Sequence, residues 1–246
     1  MTVSPRSWLT GAWLAAALVS GAATASAQQS ENWAKCTNKN DDYSNDVQIQ
    51  ACTALIRSGG ENTRNTAIAF NNRGIAYYAK DDYDNAISDF TEAINLDPNY
   101  ADAFQSRASA YSDKGDHDHA MADYNESIRL NRKNPIAFNN RCDEQLLLGR
   151  VRAAIADCNE SLQQRPNHAN TLMHRGNAYL AAGEYRKAIA DYDAALAQKP
   201  KDAWSLYGRG YAKVKLGNKA GGNADMDAGR AISDGIGGAF EKRGIK

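Results

Sequence analysis

The chain has 246 residues, with 29 Lys+Arg against 29 Asp+Glu, 43% hydrophobic and 24% charged residues. Those fractions exclude a disordered or fibrous chain. Balanced charge gives no global pull toward nucleic acid or an anionic membrane surface, so neither is expected as a partner.

Residues 1–27 read as a secretory signal peptide. Arg6 supplies a positive charge, Trp8–Ala23 is apolar, and Ala25-Ser26-Ala27 forms a small-x-small cleavage box. Thr10, Gly11, Ser20 and Gly21 interrupt the apolar stretch, which is near the lower length limit for a spanning helix. Cleavage after Ala27 is therefore preferred to an uncleaved anchor. The expectation is a mature chain from Gln28, periplasmic or secreted, with no stable membrane insertion. In such a compartment Cys pairs tend to oxidise.

The remainder repeats. Ala67-Ile-Ala-Phe-Asn-Asn-Arg-Gly74 returns as Ala101–Ala108, Pro135–Cys142, Ala169–Gly176 and Ala203–Gly210, each 34 residues after the last. A second block, Ala86-Ile-Ser-Asp-Phe90, returns at Ala120–Tyr124, Ala154–Cys158 and Ala188–Tyr192, and more weakly at Gly222–Met226. Apolar residues within each unit keep helical spacing, as in Ile87, Phe90 and Ile94. Gly115, Gly149, Gly183 and Gly217 recur where a first helix should stop, and Asp97-Pro98 and Lys199-Pro200 where a second should end. No run alternates like a strand.

Phe70, Gly74, Tyr77, Ala86, Phe90 and Pro98 closely resemble the pattern of the tetratricopeptide repeat (TPR) family, and the resemblance covers about residues 29–246. It implies an all-α fold, a right-handed α-solenoid of stacked antiparallel helix pairs. The expected units are 67–100, 101–134, 135–168, 169–202 and 203–236. A degenerate pair is expected over 28–66, and a capping helix over 237–246. The cap carries Phe240, Arg243 and Gly244 in the phase of a sixth unit's first helix. The link Arg57–Thr66 is about four residues too long for strict spacing and reads as a solvent loop turning at Gly59-Gly60.

Cys36 and Cys52 are 16 residues apart, as are Cys142 and Cys158, at unit positions 8 and 24. In an antiparallel pair these positions lie at similar height on the seam, close enough for disulfides Cys36–Cys52 and Cys142–Cys158. The competing reading is four buried free thiols. Arg recurs at position 7 (Arg73 to Arg243) and Asp at position 23 (Asp89 to Asp225). This reads as a structural ladder, in which an Arg can use the Asp of its own or the preceding unit; Arg73 has only Asp89, because the preceding unit carries Ala51, and Arg243 has only Asp225.

His117 and His119 point apart at i, i+2 on a helix, so no metal site is expected. Asn125-Glu-Ser127 and Asn159-Glu-Ser161 resemble glycosylation triplets by coincidence. With no Ser–His–Asp spacing or phosphate loop, neither enzymatic activity nor a cofactor is expected. The resemblance implies a concave groove lined by the first helices. By register its lining includes Asn71, Asn72, Gln105, Ser106, Ser109, Asn139, Asn140, Asp143, His174 and Asn177, then Trp204, Tyr207 and Tyr211. Amides can serve a peptide backbone without demanding charge, and aromatics with polar tips are good anchors. The expected function is a scaffold binding a protein or peptide partner; the alternative is a small-ligand or cell-wall glycan binder.

Overall fold

The computed structural model describes residues 26–245. The expected signal peptide lies outside the described residues, apart from Ser26 and Ala27, which open the first helix. Thirteen helices and no strand occur among the described residues. They fall into two compact units, which divide between Pro98 and Asn99.

The first unit contains α1 (26–37), α2 (Asn45–Ser58), α3 (Thr63–Tyr78) and α4 (Tyr83–Leu96). Cys36, Ala51, Cys52, Leu55 and Ala69 form its buried cluster, with Trp33 and Ile56 against it. The Arg57–Thr66 link is shorter as a loop than its length suggested. Gly59 ends α2 at φ 62°, and Asn62 caps α3 by accepting from the Asn65 backbone N–H at 2.9 Å. The four surplus residues, 63–66, become an extra turn of α3. A single Asx cap costs less than leaving four more backbone groups to solvent.

Glu61 in that short loop ties it to α1. Its carboxylate accepts from Gln29 Nε2 and Trp33 Nε1, each at 2.6 Å, and from Asn65 Nδ2 at 2.9 Å. Burial pushes this carboxyl up, but the three donors outweigh it and hold it below its ordinary value.

The second unit contains α5 (Ala101–Asp113), α6 (His117–Leu130), α7 (Pro135–Leu147), α8 (Val151–Gln164), α9 (Ala169–Ala181), α10 (Tyr185–Gln198), α11 (Ala203–Lys215), α12 (Lys219–Ile232) and α13 (Ile236–Lys242). Consecutive helices pack as antiparallel pairs, and the first helices α5, α7, α9 and α11 neighbour one another in turn. Gly115, Gly149, Gly183 and Gly217 follow these helices at φ between 71° and 93°, a left-handed turn that a side chain would strain.

The seam within each pair uses one position in two ways. A Cβ on Gly74 would lie 2.7 Å from Phe90 Cε1, and one on Gly176 would lie 2.7 Å from Tyr192 Cε1. Glycine therefore makes room for an aromatic ring from the facing helix. At the same two positions the structure joins Cys36 to Cys52 and Cys142 to Cys158, with Cα separations of 4.8 and 5.5 Å. Two sulfurs there fill the space of a ring against glycine. Each bridge also closes a short loop, a constraint that contributes about 3 kcal/mol.

The Arg ladder closes within each pair. Arg73, Arg141 and Arg175 each hold Asp89, Asp157 and Asp191 through two bonds of 2.7 Å. Arg107–Asp123 and Arg209–Asp225 match within 0.2 Å. The remaining nitrogen, Nη1, reaches position 25 of the preceding pair: Thr53 for Arg73, Asn125 for Arg141, Asn159 for Arg175 and Asp193 for Arg209. The partner choice left open by the sequence thus resolves to the unit's own Asp, with position 25 as the link between pairs. The two glycosylation-like asparagines are those links.

Candidate functional site

The inner face of the second unit is formed by α5, α7, α9 and α11, and it divides into two halves. The half on α5 and α7 is polar. Gln105 Nε2 and Asn140 Nδ2 both donate to Ser109 Oγ, at 3.5 and 3.3 Å, and Asn139 Nδ2 donates to Asn140 Oδ1 at 3.0 Å. Asn139 is itself buried, and its Oδ1 has no hydrogen-bond partner among the described residues. Beside these amides lies a cavity of about 200 Å³ lined by Ile136, Asn139, Asn140, Arg165, His168 and Asn170, among others. Burial, and then Arg165 and Lys199, push His168 below its ordinary value. Arg165 in the lining brings a positive charge to this end of the cavity, which suits carbonyl or carboxylate oxygens.

The other half is covered by the chain itself. Phe240 of α13 lies with its ring centroid 5.1 Å from that of Trp204 and 5.0 Å from that of Tyr207. Ile236, Phe240 and Ile245 are buried in one cluster with Leu180 and Tyr192, and Trp204, Tyr207 and Tyr211 pack against it. Arg243 stands 4.4 Å over the Trp204 ring. It also forks onto Asp143 of α7, with Nε to Oδ1 at 3.2 Å and Nη2 to Oδ2 at 3.0 Å. His174 Nδ1 lies 3.1 Å from the same Oδ1, near enough for an ion pair but off line for a hydrogen bond. Burial pushes the Asp143 carboxyl up, but His174 and Arg243 together prevail and hold it well below the usual carboxylate range.

This arrangement corrects the expectation for the C-terminal segment. Arg243 pairs with Asp143, not Asp225, because Asp225 is already taken by Arg209 and by Lys213 at 2.7 Å. The phase of Phe240 and Arg243 suggested another stacked helix. The helix α13 does pack against α11 and α12, and from there the same two side chains reach an aromatic pair and a carboxylate.

One expected lining residue stands elsewhere. Asn177 is 1% exposed; its Oδ1 accepts from Tyr192 O–H at 2.7 Å, so it belongs to the seam. In the first unit Asn71 is buried with an unpartnered Oδ1 among the described residues, and the Asn72 backbone oxygen accepts from Gln48. Gln105 and Asn140 meet at Ser109, Asp143 and His174 approach to 3.1 Å, and Trp204, Tyr207 and Tyr211 pack against the cluster that holds the C-terminal segment. Ile136, 48% exposed beside the cavity, was missed; it sits at unit position 2, the phase of Trp204.

The remaining polar clusters are spoken for. His117 bonds the buried Glu144 at 2.6 Å, Ser112 donates to the same carboxylate, and His119 pairs with Asp116. The carboxylate, not the imidazole, stands in the middle, so this trio cannot relay a proton from serine to histidine. No group of three or more potential metal ligands occurs among the described residues.

The tetratricopeptide repeat family matches residues 67–100 and 101–134, and a TPR repeat match covers residues 176–217. No curated protein matches the sequence. Among solved structures, a tetratricopeptide repeat protein from Parabacteroides merdae superposes with TM-score 0.67 at 18% identity, covering 87% of this chain and 88% of that one. YrrB, a TPR protein with an unusual peptide-binding site, gives TM-score 0.60 at 18% identity over 80% of this chain and all of its own. PilW, a type IV pilus biogenesis factor, gives 0.63 at 16% identity over 72% of this chain and 85% of its own. With the 34-residue register, the seam of paired helices and these matches together, the chain belongs to the tetratricopeptide repeat family.

Proposed function

We propose that this chain is an exported scaffold that binds a polypeptide along the inner face of its second unit. One observation carries the reading: that face already holds a polypeptide, the chain's own residues 236–245, through an aromatic clamp and a carboxylate. Side chains that grip one segment by its rings and charge suit another segment of the same chemistry. The open amide half extends the same surface. The similar fold of YrrB, itself described by a peptide-binding site, supports the reading. The cavity beside the amides, about 200 Å³, is smaller than the roughly 300–1,000 Å³ usual for small-ligand sites.

Export is supported by the leader-like residues 1–27 and by two disulfides, which persist in oxidising compartments. No described helix is long and apolar enough to cross a membrane. The test is a photo-crosslinking residue placed at Asn140 in the chain expressed with its leader in its own host. Crosslinks to a discrete polypeptide in the envelope or secreted fraction are expected. Crosslinks no different from those of an outer-face control position, or a chain retained in the cytoplasm, would contradict the proposal.

A further inference from the structure

The C-terminal segment reuses the recognition grammar of the repeats. Within the pairs, four ladder arginines, Arg73, Arg107, Arg141 and Arg175, lie over an aromatic ring and fork onto a carboxylate. Arg73 stands 5.4 Å over Phe70 while holding Asp89, and Arg141 stands 5.7 Å over Phe138 while holding Asp157. Arg243 does the same with groove residues, over Trp204 and onto Asp143. Phe240 adds a ring to the aromatic pair, and Ile245 an aliphatic plug that is 4% exposed. The inner face thus reads three features: an aromatic residue, an arginine three positions on, and an aliphatic residue two further.

The same segment is built to let go. Its helix has seven residues, too short to persist without its docking surface. Gly235, Gly237, Gly238 and Gly244 make its ordering costly in backbone entropy. Glu241, Lys242 and Gly244 are exposed and take no part in the docking. An ion pair, a stacked ring and two buried aliphatic side chains, Ile236 and Ile245, hold it, with no disulfide.

We propose that residues 236–245 are an intramolecular ligand that competes with the external polypeptide, and that this polypeptide carries the same aromatic-x-x-Arg-x-aliphatic pattern on a short helical segment. The inference rests on the groove reading above and names the partner's chemistry. Tethering gives the segment a high effective concentration, so only a partner that also engages the open amide half displaces it. The apparent affinity for an external segment is reduced by the fraction of molecules in which the tail is docked.

The experiment uses the full chain and a fluorescein-labelled peptide of residues 234–246 as probe, followed by anisotropy. The double variant Phe240→Ser, Arg243→Ser frees the face. It is expected to bind the probe about tenfold tighter than the natural chain. Adding Asp143→Asn, or putting both serines into the probe, should abolish binding. Equal affinity for both chains, or no binding to the freed face while circular dichroism shows the helices intact, would overturn the proposal.

Because Phe240 is part of the core cluster, a second measurement avoids substitution altogether. Saturating unlabelled probe should raise amide hydrogen exchange of residues 236–245 in the natural chain, and unchanged protection there would overturn the competition. A concentration-dependent dimer that the double variant loses would instead mean that the face takes a second copy's tail, which also overturns it. Crosslinking at Asn140 reads the groove proposal separately: a captured partner whose yield ignores tail release keeps the groove and removes the tail.

Discussion

The two halves of the inner face differ in what their side chains are left to do. On α5 and α7 Gln105 and Asn140 donate to Ser109, Asn139 donates to Asn140, and Asn139 keeps a buried acceptor unused. In the other half the aromatic residues of α11 are covered by Phe240 and Ile245, and Asp143, reaching in from α7, is engaged by Arg243 and by His174 of α9. Gln105 and Asn140 keep partial exposure, so water replaces any partner they lack at little cost. Three clustered aromatic rings left open would form an apolar patch with a strong drive to be covered. The half with the larger binding potential is therefore the half that the chain occupies itself.

The largest way to disturb this division is Phe240→Ala. The side chain is 1% exposed between two aromatic rings, and removing it should cost docking of the tail about 3 kcal/mol. Hydrogen exchange should rise across residues 236–245 and hardly change across α5 to α8. Equal loss of protection in both halves would show that the tail supports the whole unit and not one half.

Asp143→Asn comes next. It removes a charged acceptor from Arg243 while preserving shape, a loss of about 2 kcal/mol. Urea unfolding followed by Trp204 fluorescence, in a chain lacking residues 1–27 and carrying Trp33→Phe, would show the tail leaving at lower denaturant. An unchanged first transition would mean the aromatic contacts suffice alone.

Acid gives a smaller and graded effect. The Asp143 carboxyl is held below its ordinary value when the tail is docked, so the docked state binds its proton less readily than the released state. That contribution is fully present above the ordinary carboxylate value of about 4, and is lost as pH falls through the lower docked value. Trp204 fluorescence should stay flat from neutral pH to about 4 and then change, and Asp143→Asn should lack this step. A change centred near pH 6 to 7 would point to histidine instead.

Asn140→Ala is the smallest for the fold, within about 0.5 kcal/mol, since its amide bonds only neighbouring side chains. It should leave tail exchange untouched yet reduce crosslinking of an external polypeptide at a nearby open-half position such as Gln105. Loss of tail protection in this variant would join the two halves into one cooperative site.

Much of the architecture was readable because the repeat states it many times. Positions 8 and 24 carry either a small residue facing a large one or cysteine facing cysteine, so spacing pointed to both disulfide pairs and to the seam. Local signals failed where a distant partner decides. The surplus near Thr63 could be loop or helix, and the Asn62 cap settles it as helix. Asn177 has the phase of a lining residue, but the Tyr192 hydroxyl on the facing helix claims it. The tail was the least legible element. Phe240 and Arg243 carry a repeat's phase, and nothing near them in sequence tells that Trp204 and Asp143 stand ready at the inner face.

The central claim is that Phe240 sits in the aromatic clamp of α11 in solution. A nuclear Overhauser spectrum on the disulfide-intact chain, with ring protons kept only on Phe and Trp, reads that contact directly. With ring centroids 5.1 Å apart, cross-peaks between Trp204 and Phe240 are expected at neutral pH, and they should fade in Arg243→Ser. Trp204 cross-peaks that lack Phe240, with the helices otherwise intact, would contradict the claim.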